Sequence, residues 1–319
     1  IPTADICSFW SRIVAFLVDT VVLGVVGLVL GLAFYSQFSH LGGYGRVIGF
    51  MIAAFYFGVM NSVICGGQTI GKRVMKIKVI TKEGKPIGIG RSVVRFLIIG
   101  TPFFLNGAPI PMDILQSVGG SLIASAIFGL GLSILYMYVF NRNTRQSLHD
   151  VIVGSFVSKA EAGKIRFVNT VWKGHYAILA VILIGAGLLP IVANHFSKEE
   201  PFKEMLTLQR AIQKQPEAKY SSVTAGKTTM NIMGKGARET TFLSSRIVLS
   251  KQVTDYDQVA NTMARVVLNT YPEAESKDSI NIVLSYGYDI GIASSWNSKN
   301  YNYSPGQWKE RIQQSNQAL

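Results

Sequence analysis

The chain has 319 residues, of which 49% are hydrophobic and 15% charged, with a mean hydropathy of +0.30. A water-soluble domain of this length carries nearer a quarter charged residues, so a wholly soluble chain is excluded. The net charge of +13 sits in short loops flanking apolar runs, a pattern that sets membrane orientation; nucleic acid is not an expected partner.

Up to residue 194 there are 16 Lys and Arg against 6 Asp and Glu; beyond it there are 15 against 12. The first part holds long apolar runs, and the second reads as an ordinary globular sequence. Residues 13–35 are long enough to cross a hydrocarbon core of about 30 Å and contain one charge, Asp19. Residues 47–64 form a second span without charge, joined to the first by a short polar turn bearing Arg46. No cleavable signal peptide is expected, because the first apolar stretch follows Arg12 and lacks a small-residue cleavage site.

A polar insert, 65–91, carries seven basic residues and one acid, Glu83. Val74, Ile77, Val79 and Ile80 suggest a strand or amphipathic piece, and Glu83-Gly84-Lys85-Pro86 signals a turn. Gly66-x-x-x-x-Gly71-Lys72 has the outline of a phosphate-binding loop, but Arg73 stands where Ser or Thr is required and no suitable strand precedes it. A tight exit from the second span is the expected role of the glycines. Lys72, Arg73, Lys76 and Lys78 are candidates for contact with anionic lipid headgroups.

Residues 92–105 are apolar but interrupted by Arg95 and Pro102, and read as a short or broken membrane segment. Residues 117–140 make a span rich in Gly and Ser, which lets membrane helices approach closely. A second basic loop, 141–173, precedes the last span at 174–194. Placing both basic loops in the cytoplasm puts the N-terminus inside and residues 195–319 outside.

The expected fold is an α-helical polytopic membrane domain of four to five segments plus a small α+β extracytoplasmic domain. Within 195–319 the order is αββαββα. Pro201 opens a helix to about Gln215; strand-like runs follow at 219–233 and 240–253. Asp255 and Gln258 form a capping-box pattern. Ile280, Ile282 and Leu284 alternate as a strand; a turn at Gly287 then leads to a strand at 288–295, with Ile290 and Ile292 on one face. Pro305 starts a terminal helix. Tyr286, Tyr288, Trp296, Tyr301, Tyr303 and Trp308 form an aromatic cluster that suits ordinary sheet packing better than a partner surface.

The sharpest candidates for function are charges placed where charges are costly. Arg12 and Asp19 lie about two helical turns apart on one face of the first span. Arg12 and Arg95 are the expected partners of Asp19, and Asp150 is the third member of the set. His40, His149, His175 and His195 have no metal-ligand spacing, and His149 is expected in a solvated polar loop. No metal, cofactor or enzymatic constellation is expected.

RIVAFLVD (12–19), the GGQTIGKRV…RSVVR loop (66–95) and RQSLHDVIVGSFV (145–157) together resemble the RDD family of membrane proteins. The resemblance covers about residues 4–158, leaving 159–194 as basic linker and final span and 195–319 as a separate soluble domain. It makes Arg12, Asp19 and Asp150 the name-giving residues and implies a multi-pass protein of the bacterial cytoplasmic (inner) membrane. It implies no defined activity: a transport role is proposed for the family, with cation/proton exchange in one branch. Two functions stay open. One is transport of cations, protons or a small solute, with a homo-oligomer or membrane protein complex enclosing the path. The other is a non-catalytic scaffold whose outer domain binds an envelope partner.

Overall fold

A computed structural model describes residues 6–161, 170–232 and 236–317. Contacts divide the chain into two units. One comprises 1–34, 43–192 and 289–294; the other comprises 35–42, 193–288 and 295–319.

In the first unit, Ser8 caps helix α1 (Phe9–Ala33) by accepting from the Ser11 amide. Arg12, Ala15, Asp19, Leu23, Gly27 and Gly31 are its buried residues, a stripe at helical spacing. Helix α2 (Tyr35–Leu41), which belongs to the other unit, comes next in the chain, then a 3-10 turn (Gly42–Gly45) and α3 (Arg46–Met60). The basic loop then folds into a short helix, α4 (Ile70–Val74), and strand β1 (Ile77–Ile80). The turn predicted at Glu83–Pro86 is present, with Gly84 at φ 83°.

The interrupted segment forms one helix, α5 (Ile89–Leu105), with Pro102 in its last turn. Its 17 residues rise about 25 Å, short of a full crossing. Helices α6 (Met112–Leu115) and α7 (Val118–Ala124), a π-helical turn (Ser125–Gly129) and α8 (Leu130–Phe140) come next. Then α9 (Leu148–Val153) and β2 (Phe156–Lys159) lead to α10 (Lys173–Phe196). β2 pairs antiparallel with β1, Ile77 opposite Lys159 and Ile80 opposite Phe156.

Among the described residues, four helices are long and apolar enough to cross a membrane: Phe9–Ala33, Tyr35–Met60, Val118–Phe140 and Lys173–Phe196. Only 11 to 33% of each is buried within the protein, so most of their apolar surface is free for lipid. Ser125 Oγ donates to the Leu183 carbonyl at 3.1 Å, and Gly129 leaves no room for a Cβ beside Leu183. The small residues of the third span thus serve close packing against α10.

The second unit follows the expected αββαββα order: α11 (Phe202–Gln213), β3 (Ala218–Ile232), β4 (Gly236–Leu249), α12 (Tyr256–Thr270), β5 (Ser279–Asp289), β6 (Ser294–Tyr303) and α13 (Pro305–Gln317). Strand order is β3-β4-β5-β6, with β3 antiparallel and β5 parallel to β4. Asp255 caps α12 by accepting from the Gln258 amide at 2.9 Å, as its sequence pattern predicts. The core gathers Leu208, Ile212, Ile247, Met263, Val267 and Ile282. Of the aromatic cluster, Trp308 is fully buried and donates Nε1 to the Ile280 carbonyl, while Trp296 is exposed.

One strand boundary differs from expectation. Gly287 lies inside β5, and the turn falls at 290–293 between β5 and β6. Asp289 accepts from the Gly291 amide at 2.6 Å, and Gly291 takes φ 78°, which favours glycine. Ile290 and Ile292 are therefore turn residues, where strand alternation has no meaning.

Candidate functional site

Asp150 occupies the third position of α9, behind the Ser147 cap, and the two residues form a capping box. Its carboxylate is fully buried. Arg95 Nε reaches Oδ1 at 2.9 Å and Arg12 Nη1 reaches Oδ2 at 3.1 Å. Ser155 Oγ adds a hydrogen bond at 2.9 Å and the Ser147 amide one at 3.4 Å. Burial opposes ionisation, but the guanidiniums of Arg95 and Arg12 outweigh it and hold the carboxyl well below the usual range. α9 is thereby tied at one carboxylate to α1 and α5.

Asp19 has other partners. Its Oδ1 accepts from the Tyr56 hydroxyl at 2.7 Å and the Gly71 amide at 2.8 Å; its Oδ2 accepts from Thr69 at 2.6 Å. The expectation that Arg12 or Arg95 pairs with Asp19 is thus corrected: both go to Asp150. The reason lies in α4, whose first amides point at α1 and need an acceptor. Thr69 caps α4, and Gly71 lets its backbone approach α1, since a Cβ there would stand 1.9 Å from the Ala15 carbonyl oxygen. The stretch that outlines a phosphate loop therefore cradles a carboxylate of its own chain.

His149 is fully buried, contrary to the solvated loop expected, because residues 148–153 form a helix packed on α5 and α8. Burial pushes its pKa down to about 3, so the ring is neutral and its 3.5 Å approach to Asp150 is not an ion pair at neutral pH.

The four basic candidates separate. Arg73 and Lys76 are exposed and Lys78 is half-buried, but Lys72 is 9% exposed and joins the interior set. Burial pushes its pKa down to about 7, with Arg95 adding to the effect.

Arg12, Lys72 and Arg95 line one cavity of about 190 Å³, together with Asn61 and Tyr138. Its remaining wall is apolar, with Phe16, Phe57, Phe96 and Ile134 among the lining residues. Phe57 stacks on Phe96 with ring centroids 5.2 Å apart. Arg12 Nε and Nη2 and Asn61 Oδ1 are buried without a hydrogen-bond partner among the described residues. Such atoms cost free energy unless something fills the space beside them. Among the described residues no cluster of His, Cys, Asp and Glu suits a metal ion.

Sequence reasoning missed Tyr56, Thr69, Gly71 and Ser155 as partners of the charges, and Tyr138 as a cavity residue. It also passed over Arg46, which donates to the carbonyls of Phe104 at 2.9 Å and Phe103 at 3.0 Å, closing the end of α5. The same guanidinium pairs with Asp289 of this unit at 2.6 Å. An arginine within reach of a helix C-terminus was the available signal.

The RDD family model matches residues 6–154. The chain is also similar to the uncharacterized protein YckC of Bacillus subtilis (strain 168), with 21% identity over 157 residues, 49% of this chain and 87% of the relative. No solved structure matches. The matched residues include Arg12, Asp19, Arg95 and Asp150, and the C-terminal α+β region lies beyond them. Residues 6–154, the membrane-spanning N-terminal region, are thus similar to the RDD family, and a C-terminal α+β region lies beyond the match.

Proposed function

We propose that the RDD region takes up a small solute in the cavity beside Arg12, Lys72 and Arg95 and passes it across the membrane. The observation that carries this reading is the unequal use of the charges. Both carboxylates are held by several protein donors, whereas Arg12, whose side chain lines the cavity beside Tyr138, keeps Nε and Nη2 buried with no well-formed hydrogen bond among the described residues. Intramembrane charges of this kind mark solute pathways more often than inert surface. Saturation of Asp19 by three donors favours the small-solute form of transport over one in which Asp19 carries a proton.

In this reading the protein lies in the cytoplasmic membrane with its N-terminus inside and the C-terminal unit outside. The basic loops at 65–91 and 141–173 support that orientation.

The test is transient current on a solid-supported membrane carrying the reconstituted full chain. Jumps in sodium, protons, sulfate and decanesulfonate are compared for wild type and Ile134→Trp, whose larger side chain fills the cavity. A current that the substitution abolishes in monodisperse protein supports the reading. No current in any jump, or one indifferent to Ile134→Trp, contradicts it.

A further inference from the structure

We infer that the cavity binds an amphiphilic anion, with an oxyanion head on Arg12, Lys72 and Arg95 and an apolar body along Phe57, Phe96 and Ile134. This deepens the solute-handling reading and rests on it only for movement of the occupant; occupancy stands on its own.

The first argument is charge balance. Three cations, Arg12, Lys72 and Arg95, meet two carboxylates, Asp19 and Asp150, all of them buried. Asp150 is shared by both arginines, and Asp19 is turned toward the start of α4 by Tyr56, Thr69 and the Gly71 amide. Neutral His149 adds nothing. With Lys72 protonated, one positive charge is therefore left over in a medium where an uncompensated ion is costly.

The second argument is geometry. Arg12 is 7% exposed, yet Nε and Nη2 make no well-formed hydrogen bond among the described residues, with the Tyr138 hydroxyl the polar group nearby, and its side chain lines the cavity. An oxyanion beside the guanidinium supplies the missing acceptors in the geometry that Arg favours. Lys72, 9% exposed, lines the same wall.

The third argument is the opposite wall. A small hydrated anion gains nothing from stacked Phe57 and Phe96, whereas a hydrocarbon or aromatic body does. About 190 Å³ holds a head group and a short apolar stretch, roughly the liquid volume of six waters. Phe16, which also lines the cavity, is 43% exposed on the outer face of α1, so a longer chain can leave past it toward lipid.

Two sources share this chemistry: an acidic phospholipid of the bilayer and a single-chain amphiphile from water. The full chain, purified in neutral detergent, is titrated with sulfate, decanesulfonate, phosphatidylglycerol and phosphatidylcholine. The thermal midpoint and bound mass by native mass spectrometry are read. Decanesulfonate and phosphatidylglycerol are expected to bind saturably and raise the midpoint, with the tighter of the two naming the source. Sulfate is expected to bind at least roughly tenfold more weakly, since it leaves the apolar wall wet.

Lys72→Gln is expected to weaken binding roughly tenfold, as for the loss of one charge-assisted hydrogen bond. Ile134→Trp displaces the apolar body without touching a charge and serves if Lys72→Gln does not fold. Equal binding of phosphatidylcholine and phosphatidylglycerol overturns the proposal, as does binding indifferent to both substitutions. Anion binding without current leaves the proposal standing and removes transport. Current without anion binding does the reverse.

Discussion

The backbone amide of Gly71 donates to the carboxylate of Asp19 at 2.8 Å, joining the start of α4 to the middle of α1. Tyr56 and Thr69 complete the set, so Asp19 serves as a docking point for the basic loop. Gly71→Ala is expected to destabilise the protein by about 1–3 kcal/mol, because α4 must retreat from the Ala15 carbonyl. Asp19→Asn keeps one oxygen for Tyr56 and Gly71 and costs about 1–2 kcal/mol. Thermal unfolding in detergent checks the order of the two. An Asp19→Asn protein that folds but loses all current would restore a carrier role for Asp19.

Asp150 is the harder residue to replace. Asp150→Asn leaves two buried guanidiniums without their counter-charge and is expected to cost about 3–5 kcal/mol. A double-mutant cycle with Arg12→Gln should show a coupling well outside error, since the residues touch. The pH dependence has a definite sign. The folded carboxyl is held below its unfolded value of about 4, so its contribution is present above that pH and is lost as pH falls below it. Acid unfolding should therefore be less steep below about pH 4 in Asp150→Asn.

Lys72 gives the same sign in a higher pH window. Its folded pKa is pushed down by burial from 10.5 to about 7, in the presence of Arg95, Arg12, Asp19 and Asp150. Without ligand, the folded state binds fewer protons than the unfolded one between those values, so stability rises with pH across that window. An anion in the cavity favours the ammonium form. Affinity for decanesulfonate, which does not titrate, should fall as pH rises above about 7 and level off about tenfold weaker, where Lys72 is neutral. The Lys72→Gln protein should show a flat profile in the same isotherms.

Orientation can be read from one thiol. Cys7 is buried and burial pushes its pKa up, so it should resist alkylation. Cys65 is partly exposed at the start of the basic loop. An impermeant maleimide should label Cys65 in inside-out vesicles and spare it in intact cells. Labelling confined to intact cells would invert the orientation.

Much of the fold was legible in local sequence. Span length and apolarity located the four long helices, and the Asp255–Gln258 and Pro305 signals located α12 and α13. The sites that charge would occupy were legible too, because Arg12 and Asp19 flank or enter an apolar span and Asp150 stands at the entry to the apolar stretch 151–157. Their partners were not. Whether Arg12 meets Asp19 or Asp150 depends on where α4 and α9 dock, and Gly71 decides that by a close approach no periodicity reports. His149 looked solvated because its neighbours are polar, yet those neighbours fold α9 inward around Asp150. The β5–β6 turn was misplaced because Gly287 gave a stronger turn signal than Asp289-Ile290-Gly291, where the hydrogen bond forms.

Current evoked by a decanesulfonate jump, compared between wild-type and Ile134→Trp proteoliposomes, tests the central claim most directly. A saturable wild-type current that disappears when the cavity is filled is the predicted result. Equal currents from both proteins, or none above empty liposomes, would contradict it.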